Sequence, residues 1–353
     1  MNLKKLTVAL DMYGCPNRCK HCWVGHSPNG KLSESDLIYV AQSFRPFAEK
    51  MEIFDWYREP DFKENYKRLW QLRTELSDFV TPHFELISVF RLVRDENYVK
   101  WLASLGLKYA QLTLFGGEAT TDFYTGRRGA YKEILHAMDI LIDNGISPRL
   151  QIFANKSNID ELPLIANLIE SNNYAKRCET FGGKFACFVH QGSCDGENEK
   201  LYNVRVTPED LTKIPKQLAD YTLKYFGADN LSVIFGQTER ELYAELIADN
   251  SVHNFVDGEP TFYVDKNFDV YPNISTPTPF WRLGNLKADG VSKILNKYLQ
   301  NESIAQKVGA RVPIKEIVKV AGNSESMRFF DKNDYIIYII NQYCKMYGGA
   351  DIV

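Results

Sequence analysis

Short β-prone segments alternate with helical segments along residues 6–225. The strand-like segments are residues 6–11, 51–56, 84–90, 109–115, 149–154 and 184–190. The helical segments are residues 33–44, 64–77, 96–105, 131–144, 159–171 and 207–225. Because strands joined by crossover helices run parallel, this order predicts one parallel sheet with right-handed connections. Six such units favour an α/β fold built as a curved, partial (β/α)6 barrel, with the functional site at the carboxyl ends of the strands.

Local signals mark where several of these helices begin and end. Ser33 followed by Asp36 is typical of a capping box at a helix start. Thr207 and Pro208 are residue types favoured at an N-cap and at the first helical position. Gly145 stands where a left-handed residue would end a helix. These residues therefore place helix boundaries where the alternation of strand and helix segments also places them.

The composition is typical of a globular protein in water, with 44% hydrophobic and 25% charged residues among 353. The net charge is −3, which favours neither nucleic acid nor an anionic membrane as a partner. The sequence has no run of about 18 apolar residues and no signal-peptide pattern, so we predict a cytoplasmic protein. Thiols stay reduced in that compartment, so the seven cysteines are not expected to form disulfides.

Three of the cysteines form a compact group directly after the first predicted strand. Cys15, Cys19 and Cys22 have the spacing C-x3-C-x2-C. Three thiolates on one loop can bind three irons of a [4Fe–4S] cluster and leave the fourth iron open to a small ligand. The alternatives are a zinc site completed by His21 or His26, or cysteines without a metal. Zinc usually takes two separated ligand pairs, and the single group here favours the cluster.

This cysteine spacing, its place after the first strand and the following Trp23 resemble the radical S-adenosylmethionine superfamily. The resemblance implies a partial TIM-like barrel that holds a [4Fe–4S] cluster and S-adenosylmethionine. In that family the open iron binds the amino and carboxylate groups of S-adenosylmethionine, whose reductive cleavage gives a 5′-deoxyadenosyl radical that abstracts hydrogen from the substrate. The family usually has an aromatic residue near the adenine just before the third cysteine, and here that residue is His21.

The family's Gly-Gly-Glu-Pro motif, which binds the amino group of the cofactor, ends its second strand. In this sequence the second predicted strand is followed by Tyr57, Arg58, Glu59 and Pro60, so both glycines are replaced. A Gly-Gly-Glu118 sequence occurs later, after the fourth predicted strand. The resemblance therefore assigns Glu59, with the backbone of Tyr57 and Arg58, to the amino group. The alternative is a surface turn that contains Glu-Pro.

A further segment matches the family's fourth strand, where a hydroxyl residue and a downstream arginine lie near the methionyl carboxylate. By position these are Thr113 and either Arg127 or Arg128. A guanidinium suits a carboxylate because it donates two parallel hydrogen bonds. The alternative is a pair of surface arginines. Gln151 and Asn155, at the end of the fifth predicted strand, are polar where ribose contacts lie in the family.

After about residue 228 the pattern changes to short strands, turns and a final helix near residues 334–346. We therefore predict a barrel domain at residues 1–228 and a smaller α+β extension at 229–353. The extension resembles the SPASM or twitch region of the family, with a hairpin around Tyr271 and Pro272 and a Gly-Asn-Leu turn at Leu286. Asn273 stands where the family has a cluster-binding cysteine, and only Cys344 remains downstream. The hairpin is thus expected without its auxiliary cluster.

Cys194 follows the sixth predicted strand and is expected at the rim of the site. Some radical epimerases of the family return a hydrogen atom to the substrate from a cysteine thiol, which makes Cys194 the candidate catalytic residue. The alternative is a small buried hydrophobic residue. Cys187, inside the strand, is a poorer candidate.

The resemblance predicts an enzyme that acts on a small-molecule or peptide substrate in natural-product or peptide tailoring. Epimerisation, rearrangement, cross-linking and oxidation are all open, although loss of the auxiliary cluster argues mildly against dehydrogenation. The chain starts almost at the first strand, so we expect no leader-binding domain. An electron donor such as flavodoxin or ferredoxin is the expected protein partner. The competing class is a non-catalytic zinc or iron–sulfur protein with a structural or redox-sensing role.

Overall fold

The computed structural model describes residues 3–10, 14–25, 32–54, 59, 61–83, 85–272 and 277–347. The strands are β1 Leu3–Leu10, β2 Ala48–Phe54, β3 Tyr109–Leu114, β4 Ser147–Phe153, β5 Ala186–His190, β6 Gln237–Thr238, β7 Thr261–Val264, β8 Asp269–Pro272, β9 Gly284–Asn285 and β10 Phe329–Phe330. The helices are α1 Glu34–Phe44, α2 Tyr66–Leu76, α3 Val89–Leu92, α4 Glu96–Ser104, α5 Glu118–Thr125, α6 Ala130–Asp143, α7 Leu162–Ser171, α8 Tyr174–Glu179, α9 Pro208–Leu211, α10 Lys216–Phe226, α11 Leu231–Phe235, α12 Glu239–Leu246, α13 Leu286–Leu299, α14 Ile304–Arg311, α15 Ile314–Ala321 and α16 Lys332–Tyr347.

The predicted α/β architecture with parallel strands is confirmed. Strands β3, β4 and β5 form a parallel sheet, and β1 pairs in parallel with β2 on one side and β7 on the other. The hairpin of β7 and β8, followed by β9, extends the β1 sheet in antiparallel order. Within the described residues no strand ladder joins these two sheets. Residues of the C-terminal region thus share a sheet with the first strand, and the domain boundary near residue 228 stays a prediction.

The strand predicted at residues 84–90 is wrong for most of its length. Extended pairing is limited to one parallel bridge between Leu86 and Gln111. The chain then turns at Ser88, whose side chain accepts a hydrogen bond from the backbone N–H of Arg91 and caps α3. A serine that satisfies a free N–H at a helix start favours this turn over continued pairing. Phe84 lies outside the described residues.

The helix predicted at residues 207–225 is two helices, α9 and α10. Pro215 is the residue before α10, and its ring and missing N–H are incompatible with the interior of one continuous helix. The predicted starts are present, because Thr207 and Asp210 form a capping box, as do Ser33 and Asp36 before α1. The sequence signals therefore located the helix starts correctly and missed this interruption.

Apolar side chains from the strands and their covering helices form the core on both sheets. One cluster surrounds β3, β4 and β5, and a second surrounds β1, β2, β7 and β8. Strand β3 alternates between fully buried and partly buried positions, so Gln111 and Thr113 share the face opposite Leu112. That partly buried polar face borders the cavity described next. Among the described residues, none of the helices has both the length and the apolar character needed to cross a bilayer.

Candidate active site

A cavity of about 570 Å³ lies among the cysteine loop and the carboxyl ends of β3, β4 and β5. The residues predicted for the site that line this cavity are Cys15, Cys19, His21, Cys22, Glu59, Thr113, Arg127 and Gln151. Arg128, Asn155 and Cys194 are not among the lining residues. Tyr57 and Arg58 lie outside the described residues, so their predicted contact with the cofactor has no structural description.

The cysteine loop is held in place by backbone hydrogen bonds from two other parts of the chain. The N–H groups of Arg18 and Lys20 donate to the carbonyls of Thr125 and Tyr124 at the end of α5, both at 2.8 Å. The carbonyl of Cys22 accepts from the N–H of Glu197 at 2.9 Å. These contacts explain how a short loop without regular structure presents its three thiols to one cavity.

Cys15 and Cys19 are buried beside negative groups, which disfavour their thiolate forms in the protein alone. Burial raises the pKa of Cys15 and Cys19, and neighbouring negative groups, including Glu59, raise both further. Bound iron reverses this preference because a coordinating thiol is deprotonated. Among the described residues, no three His, Cys, Asp or Glu side chains are grouped so as to hold a single metal ion. Three thiols that line one cavity still suit a cluster, in which each cysteine binds a different iron.

His21 offers an aromatic face inside the cavity. Its ring contacts Phe115 and Phe153, with centroid distances of 4.8 and 4.9 Å. Burial lowers the pKa of His21 to about 4, so the ring is neutral at physiological pH. Its Nδ1 atom is buried without a hydrogen-bond partner among the described residues. A flat ring with an unsatisfied nitrogen fits a planar heteroaromatic group such as adenine.

Glu59 is buried in the cavity wall beside the cysteine loop. Its Oε1 atom accepts hydrogen bonds from Ser88 Oγ at 2.7 Å and from the N–H of Phe90 at 2.8 Å. Its Oε2 atom lies 3.8 Å from Cys15 Sγ. Burial raises the pKa of Glu59 although these donors oppose the shift. In contrast, Glu118 begins α5 with a half-exposed side chain that pairs with Lys132 at 2.9 Å.

The two candidate arginines are separated by the structure. Arg127 lines the cavity and is oriented by Asn17 Oδ1 at 2.6 Å and Glu133 Oε2 at 2.7 Å. Burial raises the pKa values of Cys19 and Glu59, and the positive charge of Arg127 opposes part of that rise. Arg128, the next residue, is exposed. Glu59 and Arg127 therefore lie beside the cysteine loop in the same cavity.

The remaining polar candidates have different surroundings. Gln151 Oε1 accepts from Gln111 Nε2 at 2.9 Å and lies 3.5 Å from Thr113 Oγ1, so these three form a polar strip on β3 and β4. Asn155 is buried and bonded to the Tyr124 hydroxyl at 2.8 Å and to the N–H of Ser157. These partners use the polar atoms of Asn155 within the protein.

Cys194 is buried just behind the cavity wall. Its neighbours in sequence, Gly192 and Ser193, line the cavity, whereas Cys194 packs in the core around α16. Burial raises the pKa of Cys194 to about 12. The thiol is therefore protonated at neutral pH.

Among the lining residues that sequence reasoning missed are three polar residues from β5, the loop after it and α16. His190 ends β5, and its Nδ1 atom accepts from the N–H of Gly192 at 2.9 Å, which leaves the ring proton on Nε2. Burial lowers the pKa of His190 to about 4, so the ring is neutral. Ser193 follows it, and Asp334 reaches the cavity from α16. The place of His190 at a strand end was a usable signal, whereas no local pattern marks Asp334.

These features define an α/β protein with three thiols, a carboxylate and a guanidinium around one cavity at its strand ends. Residues 10–163 match the sequence profile of the Radical SAM superfamily. The matched segment carries the cysteine loop, Glu59 and Arg127, and the cofactors of that superfamily are a [4Fe–4S] cluster and S-adenosylmethionine.

A curated relative is the Fe-coproporphyrin III synthase of Methanosarcina barkeri (strain Fusaro / DSM 804), which is 25% identical over 243 residues. The match covers 67% of this chain and 57% of the relative, so the chain spans less than two thirds of that protein. Among solved structures, native anSMEcpe with bound AdoMet and the Kp18Cys peptide has a TM-score of 0.51 at 13% identity, covering 97% of this chain and 98% of that one. The same protein with bound AdoMet and the Cp18Cys peptide also has a TM-score of 0.51, at 14% identity and with the same coverage of 97% and 98%. At this identity the structural likeness concerns the fold.

Proposed function

We propose that this enzyme abstracts hydrogen from a polar small molecule or a peptide side chain bound beside its cofactor. The supporting observation is the single cavity that three thiols, Glu59 and Arg127 share with His190, Ser193 and Asp334. The thiols, Glu59 and Arg127 suit the cofactors. For a substrate, His190 gives a hydrogen-bond donor, Ser193 a hydroxyl and Asp334 a carboxyl group. The volume is within the range of about 300–1,000 Å³ that is usual for ligand sites.

The chain's own residues would bind and orient the cofactors. Cys15, Cys19 and Cys22 would hold the cluster, which supplies, together with S-adenosylmethionine, a 5′-deoxyadenosyl radical that abstracts hydrogen. Glu59 would pair with the cofactor's ammonium group, and Arg127 with its carboxylate. A carboxylate and a guanidinium in one cavity complement a zwitterion at both ends, and charge-assisted hydrogen bonds of this kind are strong.

The rest of the proposed cofactor site follows from its polar and aromatic lining. His21 would pack against the adenine, since its ring is neutral and contacts two phenylalanines that also line the cavity. Thr113 and Gln151 would donate to or accept from cofactor oxygens along β3 and β4. Arg128 and Asn155 are weaker candidates, because Arg128 is exposed and Asn155 is bonded within the protein.

Cys194 is proposed as the donor that returns hydrogen to the substrate. In that step its S–H bond would break and a substrate C–H bond would form, and one electron from the external reductant and one proton from solvent would restore the thiol. The loop that carries Cys194 lines the cavity at Gly192 and Ser193.

A second candidate function is the modification of a coproporphyrin-type tetrapyrrole. The observation in its favour is the 25% identity with Fe-coproporphyrin III synthase. Incubation with coproporphyrins followed by absorbance and mass spectrometry tests it, and an unchanged porphyrin after full cofactor turnover would exclude it.

The central experiment is anaerobic reconstitution with iron and sulfide, followed by S-adenosylmethionine and dithionite. Mass spectrometry should detect 5′-deoxyadenosine, and peptide and metabolite pools should be compared for products. The control is the triple variant in which Cys15, Cys19 and Cys22 are Ala, which should lose both the cluster absorbance and the 5′-deoxyadenosine. A full cluster in that variant would show that other cysteines bind the iron.

A further inference from the structure

The outside of the cysteine loop carries a basic and aromatic surface that the cavity chemistry does not use. We define this loop-face patch as Arg18, Lys20, Phe123 and Arg128. Phe123 lies on α5 and is 60% exposed, and Lys20 Nζ is 4.4 Å from the centroid of its ring. The side chains of Arg18 and Arg128 are also exposed. Exposed aromatic residues and arginines are enriched where proteins bind other proteins.

The loop-face patch is fixed to the cysteine loop by the backbone. Arg18 and Lys20, which flank Cys19, donate their N–H groups to the last residues of α5. Gly126, with a φ of 66°, approaches so closely that a Cβ atom there would lie 2.9 Å from the carbonyl oxygen of Arg18. Arg18, Lys20 and the end of α5 are therefore attached directly to the segment that would hold the cluster.

Aromatic side chains connect this surface to the cavity. Phe123 contacts Tyr124 at a centroid distance of 5.4 Å, and Tyr124 stacks on Phe115 at 5.2 Å. Phe115 in turn contacts His21, the residue before Cys22. The surface is thus separated from the third cysteine by only a few packed side chains.

The charge of the loop-face patch is opposite to that of the whole chain. Three of its four side chains are cationic, whereas the chain has a net charge of −3. The carboxylate of Asp122 on the same helix accepts hydrogen bonds from the N–H groups of Gly129 and Tyr131, at 2.6 and 2.9 Å. It is therefore committed to the turn before α6. A local cationic surface of this kind accelerates encounters with an acidic partner.

We propose that the loop-face patch docks an acidic one-electron carrier protein that reduces the cluster. The inference rests on the proposed function, which needs electrons at the cysteine loop. One electron leaves the reduced carrier and enters the cluster, and no atom or proton is transferred. Phe123 gives the apolar centre of the contact, and the three cations complement carboxylates on the carrier.

The test compares two reductants of the reconstituted enzyme under anaerobic conditions. Reduced flavodoxin is the protein probe, and dithionite is the small-molecule control that needs no docking surface. Rates of cluster reduction are followed by absorbance in native enzyme, in the Arg18→Glu/Lys20→Glu variant, in Phe123→Ala and in the control Lys319→Glu. Lys319 is an exposed lysine on α15, away from the cysteines in sequence.

The double variant should be reduced by flavodoxin about 10-fold more slowly than native enzyme, and Lys319→Glu should not differ. Dithionite should reduce all four proteins at similar rates. Added salt should slow the native reaction with flavodoxin and have little effect on that of the double variant.

If the double variant binds less iron than native enzyme, only the rate of Phe123→Ala tests the proposal, because Phe123 lies on α5, which contains no cysteine. A native rate with flavodoxin in Phe123→Ala or in the iron-replete double variant would overturn the proposal. Failure of native enzyme to cleave S-adenosylmethionine with dithionite would instead contradict the proposed function.

Discussion

Glu59 uses its two carboxylate oxygens differently. Oε1 is fixed by the Ser88 hydroxyl and the N–H of Phe90, whereas Oε2 points to the side of Cys15. A carboxylate held through one oxygen presents the other in a defined direction. Because an isolated buried charge is costly, such a site favours a cationic group in the cavity.

Glu59→Ala should weaken binding of S-adenosylmethionine to the reconstituted enzyme by about 10- to 100-fold, the range expected for a lost hydrogen bond to a charged group. Glu118→Ala is the matched control, because that glutamate is half-exposed and pairs with Lys132. It should change the Kd by no more than about two-fold. Equilibrium dialysis measures both values. A larger loss for Glu118→Ala would show that the later glutamate binds the amino group.

Ser88 is predicted to position Glu59, and a double-mutant cycle tests this. Ser88→Ala should weaken S-adenosylmethionine binding about 10-fold, since a hydrogen bond to a carboxylate orients it. In the Glu59→Ala background the same change should leave the Kd unaltered. Ser88→Thr, which keeps the hydroxyl, should restore much of the affinity.

The cycle also separates positioning from stability. Ser88 caps α3, so its loss should lower the free energy of unfolding by about 1 kcal/mol in either background. An equal loss of affinity with and without Glu59 would mean that Ser88 acts only through this cap.

At the scale of elements, features that depend only on neighbouring residues could be predicted from the sequence. The spacing of the cysteines and the capping residues depend on neighbours within a few positions, and their places in the chain were predictable. Arg127 and Arg128 could not be distinguished, because which of two adjacent residues turns inward depends on how α5 meets the cysteine loop. Asp334 could not be predicted at all, since it comes from α16, about 140 residues beyond β5.

Strand β2 and helix α2 are joined by a buried ion pair that the sequence did not reveal. Arg73 and Glu52 have side chains that are each 2% exposed and lie 2.9 Å apart. The Thr81 backbone N–H donates to Glu52 at 2.6 Å and its hydroxyl at 2.8 Å. Both charges are therefore compensated inside the protein.

Glu52→Ala should lower the free energy of unfolding by about 3–5 kcal/mol, because it leaves the Arg73 charge buried without this carboxylate. The control is Glu75→Ala on the same helix, whose pair with Arg68 is exposed at 48% and 44%. An exposed pair of this kind contributes about 0–1 kcal/mol. Urea denaturation measures both changes, and similar values would contradict the stabilising role of the buried pair.

At the scale of the whole molecule, the segment after β5 connects the distant parts of the chain. The side chain of Gln191 donates to the carbonyl of Phe329 at 2.9 Å, and the guanidinium of Arg205 donates to the same oxygen and to that of Gly192. Farther along, the N–H of Glu197 donates to the carbonyl of Cys22. The cysteine loop, the end of the sheet and strand β10 are thus fixed to one segment. Cys194 lies in the middle of it.

This position leads to the last prediction, in which turnover is carried out in D2O. Burial holds the pKa of Cys194 near 12, above the ordinary value of 9.0, so the sulfur keeps its hydrogen at pH 7 to 8. A thiol hydrogen exchanges with solvent, and its donation to a substrate radical should put one deuterium into the product. Cys194→Ser should still form 5′-deoxyadenosine but should stall or redirect the substrate, because an O–H bond is too strong to donate hydrogen to a carbon radical. The expected label should be constant from pH 6 to 8.5, since the thiol does not ionise in that interval. Normal turnover of the serine variant without solvent deuterium in either product would show that Cys194 only packs the core, and the reaction would then be a rearrangement, a cross-link or an oxidation.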